Sequence, residues 1–549
     1  MQSKMEKKKT AIVIGAGIGG VTTAARLQRA GFQVTVLEKN DFTGGRCSLM
    51  RRNGYRFDTG PSLLLLPDFY HEAFQDLGTS IEEEGIELLR CDPNYTVYFD
   101  DGEHVVMTPD LAKMRGVIQK HEGPEGFNRY LQFIQESGTH NALSTRHVLK
   151  RNFESWSDML QLEFTSCVIK LHVIESVYTR ASKYFKSERL RRAFTFATMY
   201  LGMSPFDAPG TYSLLQYTEL AEGVWYPRGG FHGIPNAIVS IGKRMGVEYR
   251  LSTPVKSVAL TPDQKRATGV ILEDGSKLEA DIVVVNADLV HSYNNLLPLT
   301  EEAKKLANKP MSCSAISFYW SLNTKVTKLD THNVFLANEY QESFDAIFQR
   351  QDLPNEISFY ANVPSRIDPA AAPEGCDAVV FLVPCGNLSG TEKNWPEIVQ
   401  RVKAGVLKVV KARIGVDLGD KIVDEIVSTP HDWQQKFNLH QGAILGLAHD
   451  FFNVLCFRPK TKHPTIEACY FVGASTHPGT GVPVCLAGSK ITSEQILRNY
   501  DMKTPWVTNE QWHMNLRAKE AAMTGGWSSY FVWLLAMFFF YAAWVKYAA

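Results

Sequence analysis

The chain has 549 residues, enough to bury a large core in two or more domains. Its 58 Lys plus Arg balance 58 Asp plus Glu, and this formal neutrality argues against a whole-protein electrostatic role such as nucleic-acid binding. The nine cysteines are scattered without a C-x-x-C pair, so they read as reduced buried thiols in a reducing compartment and give no zinc or other metal site.

Met1 to Lys9 is polar and basic, without the apolar core of a secretory signal, and reads as a solvated arm. Ala11 to Ile14 is an apolar run fit for a strand buried on both faces, and Gly15, Gly17 and Gly20 follow it in G-x-G-x-x-G spacing. Val21 to Ala30 reads as a helix stopped by Gly31, and Phe32 to Leu37 as a second strand that delivers Glu38 at its carboxyl end. Such a βαβ unit binds a dinucleotide. Gly15 permits the tight turn, Gly17 lets the backbone approach a pyrophosphate at the helix N-terminus, Gly20 lets helix and strand pack closely, and Glu38 accepts from the adenosine ribose hydroxyls. Gly44-Gly45-Arg46 follows, bringing a backbone and a permanent cation close to a second phosphate contact.

Leu89 to Thr108 alternates around Asp100-Asp101-Gly102, which predicts a hairpin opening a substrate-side region. Between Trp156 and Phe185, Leu160, Phe164, Cys167, Leu171, Ile174 and Tyr178 recur at helical spacing, and basic residues such as Arg146, Lys150, Arg191 and Arg192 flank the segment. The stripe reads either as packed core or as a monotopic helix that dips among lipid headgroups. Ile234 to Met245 predicts a helix, Val247 to Arg250 and Val255 to Leu260 strands, and Gly269 to Leu278 a hairpin. Ile282 to Val285 then runs into Asn286-Ala287-Asp288 as the chain returns to the nucleotide domain. Ser312–Ser321, Glu356–Val363 and Ala378–Pro384 are strand-like and aromatic, suited to core or to the wall of an apolar pocket. Tyr470 to Val472 predicts a strand, Gly473 to Gly481 a glycine-rich loop, and Val484 to about Leu497 a helix aimed at a second anionic or electron-rich target. Trp527 to Val545 carries no charge; as a helix it spans roughly 28 Å, the thickness of a bilayer core. It is expected to be a tail anchor, with a buried or interfacial helix as the alternative.

The opening GAGIGG…VTVLEKNDFTGGRCS resembles the flavin-dependent amine oxidase and carotenoid desaturase superfamily. RFDTGPSLLLLP (Arg56 to Pro67), SPFDAPGTYSLLQYTELAEGVWYPRGGF (Ser204 to Phe231) and YFVGASTHPGTGVPVCLAGSKITSEQ (Tyr470 to Gln495) are similar to the bacterial and fungal type of phytoene desaturase, the fungal form above all. The resemblance runs from Thr10 to Arg498. It implies an α/β fold with a Rossmann-like FAD-binding domain and an inserted mixed-sheet substrate domain, to which the apolar patterns above add a helical membrane-contacting segment and a C-terminal transmembrane helix. The expected divisions are 10–88, 236–300 and 441–500 for the FAD-binding domain, 89–235 and 301–440 for the substrate domain, 501–526 for a linker and 527–545 for the anchor.

The same resemblance implies FAD held by Gly15, Gly17, Gly20, Glu38, Gly45 and Arg46. It adds a main-chain contact from Val255 to the adenine, and the Gly473 loop with the backbone near Val482 covering the isoalloxazine. Amine oxidases usually place an acid just after the first glycine of that loop; Ala474 and Ser475 stand here. The implied reaction is FAD-dependent desaturation of phytoene, a C40 polyene, toward lycopene or beyond. A flavin-dependent isomerase or retinoid saturase, and a non-catalytic isoprenoid escort of the same fold, are the alternatives. For the proton acceptor, His477 is the best placed by sequence, a structural role is its alternative, and Glu219 and Glu222 follow. Membrane lipid is an expected partner, a homo-oligomer is allowed, and the catalytic domain is expected to face the cytosol from a single-pass anchor.

Overall fold

The structure, a computed structural model, describes residues 8–160, 164, 167–390 and 392–507. Its first layer is a five-stranded parallel sheet. The central strand β1 (Thr10–Ile14) leads into helix α1 (Ile18–Arg29) and then into strand β2 (Gln33–Leu37). Glu248–Arg250 extends the sheet beyond β2, while Ile282–Val285 and then Cys469–Phe471 extend it on the other side of β1. Val13 pairs with Val36 on one side and Val284 on the other, and all three side chains are buried, as a strand covered on both faces requires. Because the chain leaves β1 to one side and returns on the other, the strand order reverses there, and the crevice lies at the carboxyl ends.

Helix α1 begins at Ile18, three residues before the sequence placed it, because Gly17 in extended conformation serves as its N-cap. A buried ion cluster fixes the helix against its neighbours. Arg26 bonds Asp76 at 2.8 Å, at the end of the helix Pro67–Gln75. It also donates to the Leu486 carbonyl at 3.1 Å and to Ser489 Oγ at 2.9 Å, in the helix Val482–Asn499, while Lys490 reaches Asp76 at 3.0 Å. Removing one member of such a cluster costs about 3–5 kcal/mol, so three helices keep a fixed relation at the crevice.

The second layer is a seven-stranded mixed sheet in the order Ile422–Ser428, Ser314–Leu322, Asp377–Cys385, Phe359–Asn362, His332–Phe335, Tyr95–Tyr98 and His104–Met107. The pair Tyr95–Tyr98 and His332–Phe335 is parallel and the others are antiparallel. The hairpin expected around Asp100 forms the edge of this sheet. All nine residues of Ser314–Leu322 are buried, and Val402, Val406 and Val410 of the helix Trp395–Ile414 share a core cluster with Phe318, Trp320 and Phe381. A three-stranded antiparallel sheet, Val255–Leu260, Ala267–Leu272 and Lys277–Glu279, completes the nucleotide side.

One expectation is corrected. Trp156 to Phe185 is not one continuous helix: among the described residues it has 3-10 turns at Trp156–Leu160 and Ile169–Leu171, α-helical backbone at residues 164, 167 and 168, and a separate α-helix at Val177–Tyr184. His172 adopts left-handed backbone angles (φ +48°), which ends one turn, and Ser176 Oγ caps the next helix by accepting from the Thr179 N–H at 3.1 Å. Phe164, Cys167 and Leu171 are buried in a cluster with Phe153 and Cys456, so these stripe positions serve as core. All nine cysteines are free, and Cys376 alone among them is not fully buried. Among the described residues no helix is long and apolar enough to cross a membrane; the expected anchor, 527–545, lies outside the described residues.

Candidate functional site

The carboxyl ends of β1, β2 and the two strands on the other side of β1 open on one cavity of about 940 Å³. At its nucleotide end Gly15, in the left-handed region at φ +95°, donates its N–H to the Leu37 carbonyl at 2.7 Å and turns the backbone toward α1. The next N–H, of Ala16, donates to Glu38 Oε2 at 2.8 Å. Glu38 Oε1 accepts from the Asn40 N–H at 2.9 Å and from Asn40 Nδ2 at 3.0 Å, so the buried carboxylate ties the turn to the end of β2. Gly20 lies beneath, where a Cβ would stand 2.1 Å from the Gly15 carbonyl oxygen; this is the close approach its place in the motif demands. Asn286 fills the remaining space by donating from Nδ2 to the Gly15 carbonyl at 3.3 Å.

Gly17 lies beside Gly44 as an isolated bridge, and a Cβ on Gly45 would approach the Gly17 Cα to 3.3 Å. Two backbone segments without side chains therefore line the same part of the cavity. Arg46 lines it too and donates to the Ile444 carbonyl from Nη1. Burial lowers its guanidinium from the ordinary arginine value, opposed by Cys485 and Asp288. Val255, the first residue of its strand, borders the cavity with Pro254 and Glu273. The preceding Thr253 N–H donates to the Glu38 carbonyl at 2.8 Å and sets this wall against the end of β2.

The far wall is the loop from Gly473 and the helix Val482–Asn499, which starts two residues earlier than the sequence indicated. Arg458 is buried within the turns that carry this loop. It donates to the Asn453 carbonyl at 2.8 Å and the Thr476 carbonyl at 3.3 Å, and its value falls to about 10 through burial. Thr480 N–H donates to His449 Nε2 at 3.1 Å. With the loop held in this way, the amino end of an 18-residue helix, Gly481 and Val482, borders the cavity. Beyond it the lining becomes apolar: Phe196, Met199, Leu215, Phe344, Phe359 and Leu382.

His477 is placed otherwise than expected. Its ring is 2% exposed and absent from the cavity lining, although Thr476 and Thr480 belong to it. Nε2 donates to the Arg151 carbonyl at 2.6 Å, Phe153 packs edge-on at 5.3 Å, and burial lowers the imidazole to about 4. His477, expected either as the acceptor of the substrate proton or in a structural role, fastens its loop to the Arg151 carbonyl and lies outside the cavity lining. Glu219 is also fully buried. Its Oε2 accepts from Tyr95 Oη at 2.7 Å and Gln216 Nε2 at 3.2 Å, Oε1 has no partner, and burial raises the carboxyl to about 8. Glu222 accepts from Asn141 Nδ2 at 3.3 Å, and neither acid lines the cavity.

The residues present fit a flavin dinucleotide. Glycine backbone, the Glu38 carboxylate and the Arg46 cation occupy one end, a helix N-terminus the middle, and an apolar chamber the rest. Sequence reading left Asn286 without a role, and passed over Ser62 and Tyr360 on the chamber wall. Asn286 had a legible signal, a polar residue directly after an all-apolar strand; the other two, some three hundred residues apart, had none.

The comparisons agree with this geometry. The family model described as flavin containing amine oxidoreductase matches residues 18–497. A phytoene desaturase of Fusarium fujikuroi is 57% identical over 522 residues, covering 91% of this chain and 92% of the relative. One from Neurospora crassa is 56% identical over 536 residues, covering 94% and 90%. A putrescine oxidase solved with putrescine bound superimposes with a TM-score of 0.60 at 13% identity, over 89% of this chain and 99% of the other, and at that distance it speaks for the fold.

Proposed function

This chain belongs to the flavin containing amine oxidoreductase family, and from that premise we propose that it is an FAD-dependent oxidoreductase that desaturates phytoene stepwise toward lycopene or a more desaturated product. The observation that carries the reading is the continuity of one cavity from the Gly15–Glu38 cradle to an apolar chamber, which brings a dinucleotide and a hydrocarbon chain together. When bound, FAD supplies the hydride acceptor for the C–H bond that is broken. Gly15, Gly17 and Gly45 would give the pyrophosphate room, Arg46 and the start of α1 would offset its charge, and Glu38 would meet the adenosine ribose. Val255 would contact the adenine. Gly473 and Val482 would offer backbone N–H groups to the isoalloxazine. The apolar lining excludes water and lets an extended polyene slide, so that successive bonds reach one reactive position.

The sheet partition supports the proposed division into a nucleotide domain (10–88, 236–300, 441–500) and a substrate domain (89–235, 301–440). Membrane attachment through 527–545, with the catalytic domain on the cytosolic side, suits a substrate dissolved in the bilayer. The test is expression in a host that accumulates phytoene, with chromatography of the pigments and an absorbance spectrum of the purified protein. Flavin bands and loss of phytoene into more desaturated products are expected. Flavin-loaded protein that leaves phytoene untouched would refute the reading, a change of geometry without added double bonds would show an isomerase, and protein without flavin would show an escort.

A further inference from the structure

One polar spur leaves the apolar chamber. Ser62 and Tyr360 both line the cavity, and their hydroxyl oxygens lie 2.7 Å apart. Tyr360 Oη is also 2.7 Å from Nδ1 of His332, which is fully buried and stacked on the Tyr360 ring at 6.0 Å. The far ring nitrogen, Nε2, lies 3.5 Å from Cys91 Sγ.

The direction of the protons follows from Asn362. Its Nδ2 donates to the Thr331 carbonyl at 3.0 Å, which fixes the amide, and the same Nδ2 lies 3.2 Å from His332 Nδ1. An amide nitrogen can only donate, so Nδ1 faces it with a lone pair and the ring proton sits on Nε2 toward the thiol; the Tyr360 hydroxyl, 2.7 Å away, then donates to Nδ1. The hydroxyl protons then run one way, from Ser62 to Tyr360 and from Tyr360 to His332, and a Ser62 lone pair is left to accept.

We propose that Ser62, Tyr360 and His332 are the relay that removes the proton lost by the polyene, with Ser62 touching the substrate and His332 as the terminal acceptor. The step rests on the desaturation reading above and balances as follows. One carbon loses hydrogen and an electron pair to FAD; the C–H pair of its neighbour becomes the new double bond. The released proton bonds to Ser62 Oγ as the Ser62 proton moves to Tyr360 and the Tyr360 proton to His332 Nδ1, leaving an imidazolium.

The energetics suit this reaction. Burial holds His332 down at about 3, and it is a neutral base at any physiological pH. That would make it a poor acceptor for an alcohol or an ammonium group. A C–H bond next to a carbon that has just lost hydride is a far stronger acid, and a weak base that is never protonated beforehand serves it well.

Tyr360→Phe tests the relay, because it keeps the ring and removes the link. Three readouts are taken: flavin content, anaerobic reduction of the bound flavin by phytoene, and the deuterium isotope effect measured separately at the carbon that loses hydride and the carbon that loses the proton. Wild-type flavin content is expected, with reduction slowed about a hundredfold, the lower end of what a positioned proton acceptor contributes. The isotope effect at the proton-losing carbon should rise as that transfer becomes limiting. Unchanged reduction would overturn the proposal. So would slower reduction with both isotope effects unaltered, which would make the Ser62–Tyr360 bond a latch between two walls. If Tyr360→Phe does not fold, Ser62→Ala carries the same expectations. Independently of substrate, nitrogen NMR of histidine-labelled protein should show His332 neutral with its proton on Nε2; a proton on Nδ1 would reverse the chain and refute the relay. Wild-type flavin that phytoene does not reduce would remove the desaturation reading, and the relay with it.

Discussion

Glu38→Gln isolates what the acid at the end of β2 contributes. The carboxylate presents one oxygen to Ala16 N–H at 2.8 Å and the other to two donors of Asn40 at 2.9 and 3.0 Å. A glutamine has one acceptor oxygen, and its other end is an NH2 that can only donate. Its oxygen is best spent on the two Asn40 donors, which turns its NH2 against the Ala16 N–H. That N–H belongs to a residue with no exposure, and leaving it unpaired costs about 1–3 kcal/mol. Because the bond closes the Gly15–Gly17 turn, the loss falls on the cradle that FAD needs preformed. At the middle of the range it corresponds to roughly thirtyfold weaker binding, since each 1.4 kcal/mol is tenfold. The assay is titration of apoprotein with FAD, followed by quenching of flavin fluorescence, with a thermal midpoint for each protein. A variant that binds FAD as the wild type does would show that Glu38 is neither the closure of the turn nor a ribose ligand.

Glu219 and the tail give two more predictions. Burial raises Glu219 to about 8 from an unfolded value of 4.5. Its favourable contribution is therefore fully present below pH 4.5, where both states are protonated, and is lost as pH rises through 8, because the unfolded chain ionises first. Glu219→Gln cannot ionise, so its urea stability should gain on the wild type by about 3–5 kcal/mol between pH 4.5 and pH 8; parallel curves would mean that the carboxyl titrates normally. Deletion of Trp527 to Ala549 should move much of the protein out of the membrane fraction. A residue should still float with anionic vesicles through the neighbourhood of Ile169, which is 61% exposed beside Lys170. A truncated chain that never floats would refute this second contact.

The parts of the site that were legible in the sequence are those whose chemistry is made by local backbone. Gly15, Gly17 and Gly20 act through a turn, a helix start and one close approach, all within a dozen residues of β1, so their spacing carries their meaning. Gly473 and Val482 are legible for the same reason. His477 shows the limit. Its position in a flavin-covering loop is a fact of sequence, but the direction of its side chain is set by a carbonyl 326 residues away, and nothing local reports it. Trp156 to Phe185 fails in another way. Helical spacing of apolar residues records that one side is buried, and short helical pieces joined by turns can bury the same residues as well as a single helix does, once a left-handed residue such as His172 lets the chain bend. The relay lies furthest from reach, because Ser62 belongs to the loop after the small hairpin of Leu49–Arg52 and Tyr55–Asp58, and Tyr360 and His332 to adjacent strands of the seven-stranded sheet. Its chemistry exists only where the two layers meet. The cofactor's grip is therefore written in short motifs, whereas the choice of which proton leaves the substrate is written in the docking of one sheet on another. Substitutions that alter this packing at Tyr360 should change the reaction without changing how tightly FAD is held.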